Sequence, residues 1–108
     1  MAIDFLAGDL VLCQWRGGHL WWPGTVHSTN GQSVAIQYSD GSSEIRPANQ
    51  VKHFDWKAGS RVHALWSGDS KWYDATITAI DPHAGALTIR YDDGTVEETM
   101  LSRCRSLS

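Results

Sequence analysis

Residues that hold metals or form disulfides are scarce in this chain. It has two cysteines and five histidines, and neither Cys13 nor Cys104 belongs to a C-x-x-C or Cys/His cluster. We therefore expect no zinc site and no cofactor. An internal repeat, described below, places Ala64 and Val51 at the positions equivalent to the two cysteines, so both thiols are expected to be small buried hydrophobic groups. Two such thiols favour a reducing compartment.

Basic residues are also few. Nine Lys and Arg residues stand against twelve Asp and Glu residues, which gives a net charge of -3. Binding nucleic acid mainly through its phosphates needs clustered Lys and Arg, so the composition argues against it and suits a basic partner instead. The sequence shows no nucleophile with a neighbouring base and no paired carboxylates, so we do not expect an enzyme.

Long apolar runs are missing as well. No segment has the length and hydropathy of a membrane helix, and residues 1–7 lack the basic start and long apolar stretch of a secretory signal. We expect a soluble intracellular protein, or a fragment of one, that does not engage a membrane.

The feature that the chain does have is an internal repeat, in which residues 8–44 and 59–97 follow one pattern. Trp22 aligns with Tyr73, and a two-residue slip falls in a loop, where insertions are tolerated. The identical pairs are Gly8/Gly59, Val11/Val62, Trp15/Trp66, Gly17/Gly68, Trp21/Trp72, Thr25/Thr76, Ile36/Ile89, Tyr38/Tyr91, Asp40/Asp93, Gly41/Gly94 and Glu44/Glu97. A period of roughly 50 residues indicates two small modules.

Alternating polarity between Gly, Asn and Asp turns predicts an all-β fold. Consider an antiparallel meander in the second module. Trp66 is then the last inward-facing residue of the first strand, Tyr73 is the first of the second strand and Tyr91 is the last of the third strand. The three rings then share one rim, and the Asp-Gly turn after the third strand brings Asp93 to its lip. The equivalent residues of the first module are Trp15, Trp22, Tyr38 and Asp40.

A short fourth strand, a tight bend and a last strand follow in each module. Five short strands in about 50 residues close naturally into a small barrel, which removes exposed sheet edges. We therefore predict two tandem five-stranded SH3-like barrels, over residues 8–54 and 59–107, packed through a linker at residues 55–58. Because the linker is short and contains a Trp, the barrels are expected to touch at a fixed angle, in a monomer.

Aromatic rings beside a carboxylate suit a methylated ammonium. Methylation keeps the charge, removes hydrogen-bond donors and adds apolar surface, and aromatic faces attract such a cation. A competing interpretation is that the rings fill the core of a small barrel, and turn geometry alone also explains Asp92 and Asp93. Core filling does not explain why six aromatic residues occupy equivalent rim positions. Trp21 and Trp72 point away from the rim, and each is expected to pack against the other barrel or a loop.

The segments of the second module resemble a known family. Residues 62–77 look like the first hairpin of a Tudor domain, and residues 89–94 look like its third-strand turn. The similarity runs from residue 8 to residue 107 and implies a tandem Tudor protein of the chromatin-reader group. By position, the family's methyl-lysine cage falls on the rim residues named above, in both modules. Many lysine-reading Tudor domains have a further aromatic residue where this chain has Ser42 and Thr95, so each cage is expected to be open on one side.

A second resemblance concerns the first module. The sequence Trp21-Trp22-Pro23-Gly24, after residues 8–11, is similar to the start of a PWWP domain, a related methyl-lysine and DNA reader. Such domains continue into helices for which this module has no room. We therefore interpret it as a Tudor module with a PWWP-like hairpin.

The Tudor resemblance implies a non-catalytic nuclear reader that binds a methylated lysine on a histone H3 or H4 tail, and the second module is the closer match. The acidic lip is expected to favour lower methylation states, because a remaining N–H can donate to Asp40 or Asp93. Three alternatives stay open. They are a methylarginine reader, a PWWP-like module with weak DNA contacts through Arg103 and Arg105, and an SH3-like module that binds an extended or Pro-rich segment.

Overall fold

The computed structural model describes residues 5–107 and divides the chain into two compact units. Unit 1 extends to Asp55, and unit 2 runs from Trp56 to Leu107. Each unit contains one five-stranded sheet in which all neighbouring strands are antiparallel. The all-β fold class predicted from the sequence is therefore confirmed.

Unit 1 is a meander of four strands with a fifth strand added beside the first. Its strands are β1 (Leu10–Gln14), β2 (Trp21–Thr29), β3 (Ser33–Gln37), β4 (Ser43–Pro47) and β5 (Val51–His53). They pair in the order β4-β3-β2-β1-β5. Short 3-10 turns at Trp15–Gly17 and Ala48–Gln50 connect β1 to β2 and β4 to β5.

Unit 2 repeats this arrangement. Its strands are β6 (Arg61–Leu65), β7 (Trp72–Asp81), β8 (Ala86–Tyr91), β9 (Val96–Met100) and β10 (Cys104–Arg105), in the order β10-β6-β7-β8-β9. A 3-10 turn at Leu101–Arg103 precedes β10. The register of β2 shifts between Val26 and Ser28, and that of β7 shifts between Ile77 and Ala79. Such bulges bend a strand and increase its twist, so both sheets curve at equivalent places.

Each unit has its own hydrophobic core, formed by the inward side chains of these alternating strands. The buried residues of unit 1 include Phe5, Val11, Cys13, Val26, Val34, Ile36 and Val51. Those of unit 2 include Val62, Ala64, Ala75, Ile77, Leu87, Ile89, Leu101 and Cys104. Both cysteines are free and buried, as predicted. Burial raises the pKa of Cys13 to about 11 and that of Cys104 to about 12, because a thiolate is poorly solvated inside the core.

Trp56 differs from the sequence prediction, which placed it in a linker. The residue begins unit 2 and is buried, and its indole N–H donates a hydrogen bond of 3.2 Å to Oγ of Ser106. A buried Trp needs a partner for its N–H, and the buried Ser106 hydroxyl supplies one. The segment that contains Trp56 is thus part of a folded unit.

None of the helices formed by residues 5–107 has the length and hydropathy needed to span a membrane.

Candidate aromatic cage

The rim residues of unit 2 stand at strand ends. Trp66 follows β6, Tyr73 is the second residue of β7 and Tyr91 is the last residue of β8. The strand pairing places Tyr73 opposite Ala64 and Tyr91 opposite Ala75, so the three rings gather at one end of the sheet. This is the arrangement predicted from the alternation of side chains along antiparallel strands.

The three rings form the walls of a cavity. The centroids of Trp66 and Tyr73 are 6.2 Å apart with an angle of 80° between the ring planes. Those of Tyr73 and Tyr91 are 6.3 Å apart at 90°. The cavity has a volume of about 440 Å³, and Asp74, Asp92, Asp93 and Thr95 complete its lining. Trp66 and Tyr73 are partly exposed at its mouth, whereas Tyr91 is buried at 5% exposure.

The loop between β6 and β7 positions the Trp66 ring. The N–H of Trp66 donates to the carbonyl of Lys71 at 2.9 Å, and the N–H of Ser70 donates to the carbonyl of Trp66 at 2.9 Å. The loop closes through Ser70, which has a φ of 58°. Gly68 lies directly against the indole, because a Cβ there would come within 2.8 Å of two ring carbons. The missing side chain at Gly68 thus makes room for the ring.

Both cage tyrosines donate their hydroxyl protons to carboxylates that do not line the cavity. The hydroxyl of Tyr73 donates to Asp69, which lies in the β6–β7 loop. That of Tyr91 donates to Oε1 of Glu97 on β9 at 2.9 Å, and Ser67 donates to the other oxygen of Glu97. Neither Asp69 nor Glu97 was predicted from the sequence as a site residue, although Glu97 is identical to Glu44 in the repeat.

These hydrogen bonds shift the pKa values of both partners. The bond to Asp69 raises the pKa of Tyr73 and lowers that of Asp69. Burial, with the bond to Glu97, raises the pKa of Tyr91. Burial opposes ionisation of Glu97, but hydrogen bonds from Ser67 and Tyr91 hold its pKa below the ordinary value. Asp69 and Glu97 are therefore ionised at neutral pH, and both phenols are protonated.

Three further carboxylates stand at the cavity mouth. Oδ1 of Asp93 accepts the N–H of Thr95 at 2.9 Å, and hydrogen bonds from Thr95 lower the pKa of Asp93. Both oxygens of Asp92 accept bonds from Arg61, at 2.7 and 2.9 Å, which lower the pKa of Asp92. Asp74 lies 3.2 Å from Nε2 of His63. The mouth is therefore acidic, although Arg61 neutralises one of its charges.

In unit 1 the equivalent residues make different contacts. The rings of Trp15 and Trp22 are 5.7 Å apart at 66°. The hydroxyl of Tyr38 lies 2.9 Å from Sγ of Cys13 and donates to Oε1 of Glu44 at 3.1 Å. Burial, with the contact to Cys13, raises the pKa of Tyr38. This phenol is thus anchored to the core of its unit.

In unit 1, the side chain of Arg16 already contacts the Trp15 ring. The guanidinium of Arg16 lies 4.9 Å from the centroid of the Trp15 ring, and the N–H of Arg16 donates to both oxygens of Glu44 at 3.1 Å. Arg16 adopts a φ of 53°, which is uncommon for a residue with a side chain. Asp40 accepts the N–H and the hydroxyl of Ser42, at 2.9 and 2.6 Å, and its pKa is lowered. Unit 2 has Ser67 where unit 1 has Arg16, so the Trp66 ring lacks this built-in cation.

The outward tryptophans pair with cations from the last strand of their own unit. Nζ of Lys52 lies 4.7 Å from the Trp21 ring centroid, and Cζ of Arg105 lies 4.1 Å from that of Trp72. Arg103 donates to the carbonyl of Leu65 at 3.0 Å. Arg103 and Arg105 thus make contacts within unit 2. Within residues 5–107, no three His, Cys, Asp or Glu side chains gather into a set that would hold a metal ion.

Comparisons with known proteins agree with this architecture. Residues 58–107 match the family model described as the DNA repair protein Crb2 Tudor domain. The crystal structure of Crb2 tandem tudor domains superposes with a TM-score of 0.63 at 16% identity, over 96% of this chain and 81% of that chain. This likeness extends the Tudor fold to both units.

Two curated proteins are similar over one part of the chain. Survival motor neuron protein 1 of Danio rerio is 41% identical over 55 residues, which are 50% of this chain and 20% of that protein. Survival of motor neuron-related-splicing factor 30 of Xenopus tropicalis is 39% identical over 51 residues, which are 46% of this chain and 21% of that protein. The matches thus span about a fifth of each relative.

The fold and the matched family define a Tudor-type interaction module. Unit 2 is a Tudor domain, and the chain as a whole has the fold of a tandem Tudor protein. The family resemblance inferred from the sequence is confirmed.

Proposed function

We propose that this chain is a non-catalytic chromatin reader that binds a methylated lysine of a histone tail in the cage of unit 2. The observation that carries the proposal is the cavity walled by Trp66, Tyr73 and Tyr91, with carboxylates around its mouth. Its walls attract an organic cation, and its acidic mouth attracts a basic peptide. Each ring contributes about 0.5 to 2 kcal/mol by cation–π attraction, more where the cation is desolvated.

The shape of the cage favours methyl-lysine over methylarginine. The plane of Tyr73 is nearly perpendicular to those of Trp66 and Tyr91. Walls that meet at right angles contact a rounded group from several sides, as a tetrahedral ammonium requires. A planar guanidinium gains most from stacking flat on a ring or between two parallel rings.

The carboxylates at the mouth bear on the methylation state. A mono- or dimethylated ammonium keeps an N–H that donates a charge-assisted hydrogen bond, whereas a trimethylated one has none. Asp74 and Asp93 line the cavity and supply acceptors for that N–H. We therefore expect lower methylation states to bind more tightly than the trimethylated state.

The similar proteins support a nuclear location on chromatin. The matched family model is described by a DNA repair protein, and one relative is named as a splicing factor. DNA repair and splicing are nuclear processes, and we therefore propose that this chain acts in the nucleus. Direct DNA binding by this chain is disfavoured, because Arg103 and Arg105 make contacts inside unit 2.

A modified-histone peptide array tests the proposal. The intact chain, Trp66→Ala and Trp15→Ala are probed against peptides with mono-, di- and trimethyl-lysine and with methylated arginine. We expect methyl-lysine spots to bind the intact chain and Trp15→Ala, and to lose binding with Trp66→Ala. Trp15→Ala is the matched control, because it truncates the equivalent ring of unit 1.

Calorimetry with the best peptide then compares the three methylation states. Tightest binding of the trimethylated peptide would refute the role given to the mouth carboxylates. Methyl-independent binding would favour a plain interaction module, and binding of methylarginine alone would overturn the ligand assignment. Full binding by Trp66→Ala would overturn the assignment of the cage to unit 2.

A further inference from the structure

The hydroxyl groups of the cage tyrosines are engaged by Asp69 and Glu97, which lie outside the cavity lining. The ring of each tyrosine lines the cavity, while its hydroxyl donates to a carboxylate that does not line it. The arrangement is partly specific to unit 2. Glu44 and Tyr38 of unit 1 repeat the pairing of Glu97 with Tyr91. Asp69 has no such counterpart, since Gly18 stands at its position in the repeat.

We propose that Asp69 and Glu97 are charge-selecting residues, which hold the two phenol rings and make their faces more attractive to a positive charge. The inference rests on the proposed function of the same cage and names the property of the ligand that the cage selects. On this basis the cage recognises the charge of the ammonium more than the bulk of its methyl groups.

The physical reason is polarisation. A phenol that donates to an anion forms a short, strong hydrogen bond, and the bond moves electron density from the O–H group toward the oxygen and the ring. The ring face then carries a more negative potential and attracts a cation more strongly. Tyr91 is buried, so water screens this effect little on its side of the cage.

The carboxylates at the mouth differ from Asp69 and Glu97 in the groups that they contact. Both oxygens of Asp92 accept bonds from Arg61, and one oxygen of Asp93 is used by its own turn. Asp69 accepts the hydroxyl of Tyr73 and the backbone N–H of Lys71, and Glu97 accepts the hydroxyls of Ser67 and Tyr91. All of these donors are neutral, so both carboxylates stay charged. Asp69 and Glu97 therefore add fixed negative charge that acts through the ring hydroxyls, whereas Asp74 and Asp93 act directly at the mouth.

The test compares two ligands that have the same shape. One is a histone peptide with trimethyl-lysine, and the other is the same peptide with a neutral analogue, in which carbon replaces the quaternary nitrogen. Calorimetry gives both affinities for the intact chain, Asp69→Asn, Glu97→Gln and Tyr73→Phe. The matched control is Glu98→Gln, which removes one negative charge from the neighbouring position of β9.

We expect the intact chain to prefer the charged ligand, and the ratio of the two affinities to fall up to about threefold in Glu97→Gln. The ratio should fall by less in Asp69→Asn and Tyr73→Phe, because the hydrogen bond between Asp69 and Tyr73 is exposed to water. The ratio should be unchanged in Glu98→Gln. Tyr73→Phe keeps the ring and removes only the O–H, so it tests the inference even if an Asp69 variant folds poorly.

The outcomes separate this inference from the proposed function. If the intact chain binds both ligands equally, or if the variants weaken both to the same extent, Asp69 and Glu97 only orient the rings and the inference is wrong. The proposed reader function would survive that result. If the intact chain binds no methylated peptide at all, the proposed function fails and the inference fails with it.

Discussion

Gly68→Ala is the substitution that most directly tests how the Trp66 ring is held. A Cβ at this position would lie 2.8 Å from Cη2 and Cζ2 of the indole and 3.0 Å from Cε2. Carbon atoms pack best at about 3.5 to 4.0 Å, so the ring must move by about 0.7 Å or more. The φ of Gly68 is not positive, and the backbone therefore accepts alanine without strain.

The expected effects on stability nearly cancel. Overpacking a core destabilises a protein by about 1 to 3 kcal/mol. The Trp66 ring is 37% exposed and moves more easily than a core side chain, so we expect a destabilisation of about 1 kcal/mol, at the lower end of that range. Replacing glycine with alanine restricts the unfolded chain and stabilises the fold by about 0.4 to 1 kcal/mol. The free energy of unfolding should therefore change by less than about 1 kcal/mol.

The effect on binding should be larger, because the displaced indole is one wall of the cage. If the ring contributes about 0.5 to 2 kcal/mol to binding, its displacement should lower the affinity for a methyl-lysine peptide about three- to tenfold. Calorimetry measures the affinity, thermal unfolding measures the stability and the indole N–H resonance of Trp66 reports the displacement. Gly18→Ala is the control, because a Cβ there meets only the carbonyl of Trp15, at 3.3 Å.

A double variant tests whether the effect acts through the ring. In a Trp66→Ala background, Gly68→Ala should cause no further loss of affinity, because the wall is already absent. If the indole resonance moves while the affinity stays within twofold of that of the unmodified chain, the Trp66 ring is not a wall that contributes to binding.

Two further predictions concern charge. Burial raises the pKa of Cys13 from the ordinary 9.0 to about 11 and that of Cys104 to about 12, so the folded state holds both thiol protons more tightly than the unfolded state. The resulting stability is fully present below pH 9 and is lost as the pH rises toward 11 and 12. Urea unfolding at pH 7, 9 and 10.5 should show it, and a constant midpoint would contradict it. Arg61→Met should release Asp92 from its ion pair and raise the affinity for a basic peptide, more so at low salt. Calorimetry at two salt concentrations checks this. An unchanged affinity would show that Asp92 does not act on the ligand.

The positions of the cage rings could be predicted from the alternation of side chains along the strands. Side chains alternate along a strand and neighbouring antiparallel strands run in opposite directions, so the ends of the inward runs at Trp66, Tyr73 and Tyr91 meet. The internal repeat strengthened this argument, because equivalent positions in two copies carry the same residues. Strand geometry is regular, and regular geometry can be read from a sequence.

The contacts that lie outside the strands were not predictable in this way. Asp69 reaches Tyr73 from a loop whose path depends on a positive φ at Ser70, and no periodic pattern specifies such a turn. Arg16 reaches Trp15 through the same kind of backbone. Strict alternation along β7 would put Asp74 and Tyr73 on opposite faces, but both residues line the cavity. Near the end of a twisted strand, side chains of both faces reach the rim.

Trp56 shows the same limit for domain boundaries. Its position between two copies of a repeat suggested a linker, but its indole is buried and bonded to Ser106, which lies 50 residues further along the chain. Local sequence does not report a partner at that separation.

The length of β7 has a practical consequence. This strand has ten residues and starts at the rim, so the hairpin tip at residues 82–85 lies at its opposite end, at most about 30 Å from the Trp72 end at about 3.3 Å per residue. The native thiols are buried and stay protonated. A single cysteine introduced as Ala84→Cys would consequently take a fluorophore or an immobilisation tether selectively, at a place remote from the rings that the experiments above probe.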